Sequence, residues 1–100
     1  TDTWDSIKDF TFERHDDFNA TVERMSKSLD DKVAELRAST PSAAAKDRDE
    51  ALKDYDAARA DLKARLADLG NATADTWADA KAKVAEAWQR MQAAYDKATK

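Results

Sequence analysis

His15 is the one histidine of the chain, and it opens the run His15-Asp16-Asp17. Imidazole beside carboxylate is the raw material of general acid–base catalysis and of metal ligation. Neither chemistry is completed here. The chain has no cysteine, so no thiolate is available as nucleophile or zinc ligand. Adjacent residues on a helix point to different sides and do not converge on one ion. His15 is therefore read as a packing or surface residue at the edge of an apolar stripe, near Phe18 and Thr11.

Two acidic runs, Asp30-Asp31 and Asp47 to Glu50, raise the question of calcium. A calcium loop alternates its oxygen ligands and needs a glycine at its sharp turn. The one glycine, Gly70, lies in neither run. These charges are expected on a solvated face, paired along the helix as Glu50–Lys53 and Asp61–Arg65. A single glycine also rules out a phosphate-cradling loop. Two sequons, Asn19-Ala20-Thr21 and Asn71-Ala72-Thr73, are read as accidental, the first because it sits in a helical pattern beside Phe18. No catalytic, metal-binding or cofactor-binding residue is assigned, and the chain is expected not to be an enzyme.

What remains is scaffold. Charged residues make up 38% of the 100-residue chain, well above the roughly 25% of an average globular protein. Glycine and proline occur once each, so the chain is poor in turns and rich in helix formers. Both signs of charge are interspersed and the net is −4, which gives no basic surface for nucleic acid. No run of about 18 apolar residues is present to span a bilayer. Thr1 in place of a starting Met suggests that an upstream segment, a signal peptide or a leader, has been removed. The bacterial periplasm or cell envelope is placed slightly ahead of the cytoplasm.

Two breaks divide the chain. Pro41 cannot continue a helix and disfavours helical angles at Thr40, so Ser39 or Thr40 should cap a helix with Pro41 at its first position. Gly70 suits a left-handed terminus, with Asn71 or Thr73 capping the last helix. Three helices are expected, at about 3–39, 41–69 and 72–98, the first capped by Asp2 or Thr3. Short connections make neighbours antiparallel. The fold class is all-α: one domain, 1–100, an antiparallel three-helix bundle, coiled-coil-like, with one long N-terminal helix.

Helical periodicity selects the faces. In the first helix the core candidates are Phe18, Val22, Met25, Leu29 and Leu36, continuing a stripe that includes Trp4, Ile7 and Val33. In the second they are Leu52, Tyr55, Leu62 and Leu66. Arg48 and Arg59 fall on the same side, their stems covering apolar surface and their guanidiniums reaching water. In the third, Trp77, Val84, Trp88, Met91 and Tyr95 lie within about 60° of one another. That stripe reads as core; as a lipid-facing surface it lacks the basic polar face such helices carry.

The first helix is about ten residues longer than its neighbours on this reading, an overhang of about 15 Å. Over that stretch Trp4 and Ile7 continue the stripe while Phe10 and Phe12 flank it by about 90–110°. Trp4, Ile7, Phe10 and Phe12 are thus the candidate interface for a second copy or another protein, unless the segment bends back or upstream residues cover it. The stretches "DTWDSIK" and "DTWADAK" echo each other, as two helix starts with Thr as cap and Trp in the first turn.

Two stretches carry a resemblance. "FERHDDFNATVERMSKSLDDKVAELRA", from Phe12, has an aromatic, a charged stretch, an aromatic, Met-x3-Leu and then a Leu-Asp-x2-hydrophobic-x2-Leu run. "LKARLADLGNATADTWADAKAKVAEAWQRMQAAYDKA", from Leu62, joins a leucine-rich helix through a polar turn to a Trp-x3-Lys-x2-Val-x3-Trp helix. Both resemble small, largely uncharacterised bacterial coiled-coil proteins grouped as a stress-response family first named in cyanobacteria. Pro41, the Trp-bearing N-terminal segment and Ala80, where relatives often carry leucine, depart from that pattern. The resemblance implies a helical architecture, a bacterial origin and a stress association, and it brings no catalytic residue. The function expected is a structural or protein-interaction bundle, as a homo-oligomer or with another protein. The alternative is an amphipathic lipid or membrane-surface binder.

Overall fold

The computed structural model describes residues 4–39 and 41–99. It is an all-α, three-helix bundle. A short helix α1 (Trp4–Ile7) precedes α2 (His15–Ser39), α3 (Ala45–Gly70) and α4 (Trp77–Thr99). Arg37 meets Asp56 and Asp30 meets Arg59, so numbering rises on α3 as it falls on α2, and the pair is antiparallel. Asp54 shares a hollow with Lys97, and Arg65 shares another with Lys83, so α4 returns antiparallel to α3. The molecule measures 50 × 24 × 17 Å, with a radius of gyration of 14.7 Å. A compact domain of this length has about 13 Å, so the bundle is elongated in the manner of a coiled coil.

The long N-terminal helix is present, but its expected start is not. The helix is interrupted at Lys8–Thr11, and a 3-10 turn over Phe12–Arg14 leads into α2. Thr11 is extended, with φ −92° and ψ 174°. A continuous helix would have left Phe10 and Phe12 on its flanks; the break turns both onto the core. It also removes the overhang, because α2, α3 and α4 come to 25, 26 and 23 residues. The expected caps Asp2, Thr3 and Thr40 lie outside the described residues.

Other boundaries move for local reasons. Pro41 does not open α3: its carbonyl accepts from the Ala44 N–H, and a 3-10 turn over Ser42–Ala44 comes first. Gly70 does not adopt a left-handed conformation, since no described residue has a positive φ. It is the last residue of α3, closed by the Asn71 N–H to Asp68 O and by Asn71 Nδ2 to Ala67 O. The last helix begins at Trp77 rather than near residue 72. Thr73 N–H donates to Thr76 Oγ1 in the turn before it, and Thr76 O accepts the first helical bond, from Ala80.

The helices are not equally spaced. The α3 and α4 backbones approach closely along much of their length, whereas α2 stands further off. Composition explains the difference. The α3–α4 seam buries Ala51, Ala58, Ala87 and Ala94 among Tyr55, Leu62, Trp88 and Met91. Small side chains let helix axes approach while large ones interlock. On α2 the inward residues are Phe18, Val22, Met25, Leu29 and Val33, which hold the backbone away. No described helix is long and apolar enough to cross a membrane.

Candidate functional site

The four aromatic and aliphatic residues at the N-terminal end do not project. Ile7 is 2% exposed and belongs to the core, and Trp4, Phe10 and Phe12 pack against it. They close one end of the bundle around Phe18. The Phe18 ring lies 5.7 Å from Trp4, 6.4 Å from Phe10 and 5.3 Å from Trp77, each edge-to-face. Such pairs contribute about 0.5–1.5 kcal/mol beyond the area they bury. Arg14 places its guanidinium 3.9 Å from the centre of the Phe10 ring.

Polar bonds fix this end as well. The Trp77 indole Nε1 donates to Phe10 O at 2.9 Å. Lys81, one helical turn on, donates to the same oxygen at 3.1 Å and to Lys8 O at 2.6 Å. These carbonyls come just after the end of α1, where no intrahelical N–H remains to satisfy them. His15 stacks on Phe12, with centroids 5.0 Å apart, and its Nδ1 is 2.8 Å from Phe12 O. Its place is in packing. Thr11 hydrogen-bonds the exposed Glu13 carboxylate and holds its pKa below the usual value.

At the middle of the bundle, α2 and α3 are joined by Tyr55, Asp30 and Arg59. The Tyr55 hydroxyl donates to Asp30 Oδ1, and Arg59 Nε donates to both Asp30 oxygens, at 3.2 and 3.1 Å. Tyr55 is 2% exposed. Burial above all, then the hydrogen bond to Asp30 and that residue's charge, push the phenol well above its ordinary pKa. A phenol so held does not ionise near neutrality, and the group acts as a tie between helices. Further along, Arg48 reaches back to Arg37 O at 2.8 Å and caps the last turn of α2, while Arg37 pairs with Asp56 at 3.2 Å. Arg90 joins α4 to Asp61 on α3 at 3.5 Å.

Where α2 stands off α3, a groove of about 820 Å³ runs along the surface. Its α2 wall carries Glu23, Ser26 and Asp30; its α3 wall carries Arg59, Lys63 and Leu66. Ser26 is fully buried, and its hydroxyl has no hydrogen-bond partner among the described residues. Such a group typically costs about 1–3 kcal/mol. Asp30 and Arg59 are paired with each other. Glu23 and Lys63 are exposed, and neither forms an ion pair among the described residues.

Of the expected core, Phe18, Val22, Met25, Leu29, Leu52, Tyr55, Leu62, Trp77, Val84, Trp88 and Met91 are buried. Leu36, Leu66 and Tyr95 are half-buried at the margins. Asp61–Arg65 forms at 3.4 Å, whereas the Glu50–Lys53 pair does not form among the described residues. Sequence reasoning missed the role of Asp30, which it placed on a solvated face. The available signal was Arg59, a cation on the apolar side of α3 four residues after Tyr55. It also missed Lys81 as a cap for α1, and no pattern announces a side chain that binds a distant main-chain carbonyl.

Fold and ties together define a helical bundle in which Tyr55, Asp30 and Arg59 join α2 to α3, and Trp77 and Lys81 join α4 to the N-terminal segment. No protein-family model, no curated protein and no solved structure matches this chain.

Proposed function

We propose that the protein is a non-enzymatic, structural or protein-interaction bundle, and that its contact surface is the α2–α3 groove. One observation carries this reading: the groove combines an interhelical trough, the small side chains of Ser26, Ala60 and Ala67 among longer ones, and an exposed charge of each sign, Glu23 and Lys63, that forms no ion pair among the described residues. That is the form of a surface that receives another helix, in which ridges enter grooves and rim charges set register. The conspicuous polar chemistry elsewhere is engaged in joining helices: Tyr55 with Asp30 and Arg59, Trp77 and Lys81 with the carbonyls of Phe10 and Lys8. A stress-linked setting rests on the resemblance of the two quoted stretches alone, and an envelope setting is proposed beside it; induction profiling tests the first and cell fractionation the second.

Photo-cross-linking in the cell of origin tests the contact surface. A photoreactive residue at exposed Ala60, in the groove, should give a discrete protein adduct. The same residue at exposed Gln92, on the outer face of α4, should not. Equal labelling at both positions, or none at Ala60, overturns the reading.

A further inference from the structure

We infer that the N-terminal segment, residues 4–10, is a releasable strap. It swings off the end of the bundle about Thr11 while α2, α3 and α4 stay folded. It leaves behind a recess that takes another peptide segment of the strap's own chemistry. This recess is separate from the α2–α3 groove, and the inference does not depend on the reading given to that groove.

The strap is built to move as a piece. Lys8 N–H donates to Trp4 O at 2.9 Å and Phe10 N–H to Ile7 O at 3.0 Å, so these backbone bonds stay within it. Thr11, extended at φ −92° and ψ 174°, separates it from the turn that leads into α2. Side chains supply its grip on the bundle: Trp77 and Lys81 on its carbonyls, and Trp4, Ile7 and Phe10 on the core. One turn of helix is too short to persist alone, so docking is what orders the strap. The ties that join the long helices to one another lie elsewhere. Tyr55 and Arg59 meet Asp30, Arg37 meets Asp56, and Arg90 meets Asp61, and none of these is a strap residue. Release therefore removes one end of the packing and leaves those ties in place.

What release uncovers has a defined chemistry. Phe18 is fully buried, and of the rings set edge-to-face on it, Trp4 and Phe10 belong to the strap while Trp77 remains. Beside these rings the Trp77 N–H and the Lys81 ammonium lose the carbonyls of Phe10 and Lys8 as acceptors. An apolar floor with two donors at its edge fits a peptide with two features. One is large apolar side chains three residues apart, as Trp4, Ile7 and Phe10 are; the other is main-chain carbonyls without helical partners. The strap is then a competitor in cis, and the recess is open only in the fraction of molecules that has released it.

Hydrogen exchange and a strap variant test this on the full chain. In wild-type protein the Lys8 and Phe10 amides should exchange through a local opening insensitive to low denaturant, while the Val84 and Trp88 amides should follow global unfolding. Ile7→Asp places a charge at a position that is 2% exposed, so it favours the released strap. The variant should keep a single cooperative melt and nearly all of its helicity. A synthetic peptide of the wild-type sequence 4–14 should bind the variant about tenfold more tightly than it binds wild type, or better, because the closed strap occupies the wild-type recess. Strap amides that share the denaturant dependence of α4 overturn the inference. So does an Ile7→Asp chain that loses the fold of α2, α3 and α4, or peptide binding that is absent or equal for variant and wild type.

Discussion

The Trp77 indole donates to the Phe10 carbonyl at 2.9 Å across 67 positions of sequence. This bond begins α4 and ends the N-terminal segment at one point. Lys81 shares that oxygen, so a single carbonyl outside any helix receives two donors from α4. Since the Trp77 ring also packs edge-to-face on Phe12 and Phe18, the segment is held in both position and direction.

Replacing Trp77 with Phe keeps an aromatic ring and removes the N–H. The lost bond alone is expected to cost about 1 kcal/mol, or roughly 4–8 °C in melting temperature for a domain of this size, and the void left by the smaller ring adds to it. Lys81→Met should cost a similar amount. The double variant leaves the Phe10 carbonyl with neither donor, so its loss should exceed the sum of the two. Hydrogen exchange should rise first at Lys8–Arg14. Additive losses in calorimetry would show that the two donors do not act on a common acceptor.

The contrast between what could and could not be read from sequence comes down to the same bond. Faces were legible because Phe18, Val22, Met25 and Leu29, or Val84, Trp88 and Met91, recur at helical spacing. Local periodicity is enough to say which side is inward. The break at Lys8–Thr11 was not legible, because it is favoured by partners 67 to 73 positions away that bind backbone oxygens. Asp30 was misplaced for a related reason: an acidic pair looks solvated until the opposing helix brings Tyr55 and Arg59 to it. Gly70 misled through its type. Its capacity for positive φ is not used, because Asn71 closes α3 instead.

Gly70 consequently offers a stabilising substitution. A Cβ built on it meets nothing within 4 Å, and its backbone is helical. Gly70→Ala should raise stability by about 0.4–1 kcal/mol, by reducing the freedom of the unfolded chain and favouring the helix. Denaturant titration should show a higher midpoint with an unchanged slope. A lower midpoint would mean that the α3–α4 turn draws on glycine's freedom after all.

The alanine seam gives the opposite sign. Ala58 and Ala87 are fully buried where α3 and α4 approach closely. Enlarging either to leucine forces the helices apart, and a loss of about 1–3 kcal/mol is expected. The same change at exposed Ala60 should leave the melting temperature of the monomer within about 4 °C, since surface substitutions of this kind stay within about 0.5 kcal/mol. Equal effects at the two kinds of site would argue against a close seam.

The lipid-surface reading makes a separate prediction through the indoles. Trp77 is 6% exposed and Trp88 is 5% exposed, both inside the bundle. Tryptophan emission should therefore already be blue-shifted in buffer. Vesicles of mixed zwitterionic and anionic lipid should neither shift it further nor carry the protein down on centrifugation. Binding with a loss of the α3–α4 contacts would favour a bundle that opens on membranes.

Alkaline titration isolates Tyr55. Its folded-state pKa is raised above the ordinary phenol value near 10, by burial first and by Asp30 second. Below pH 10 the phenol is protonated in both folded and unfolded chains and contributes no pH dependence. Above pH 10 the unfolded chain releases the proton while the folded chain keeps it. The unfolded state then binds fewer protons, so stability falls as pH rises, with a limiting slope of about 1.4 kcal/mol per pH unit. Tyr55→Phe should cost about 1–2 kcal/mol at neutral pH, since it leaves Asp30 to Arg59 alone. It should also remove this part of the alkaline slope, so that variant and wild type converge between pH 10 and 12. Parallel stability curves over that range would show that the Tyr55 hydroxyl is not held protonated by Asp30 and the surrounding core.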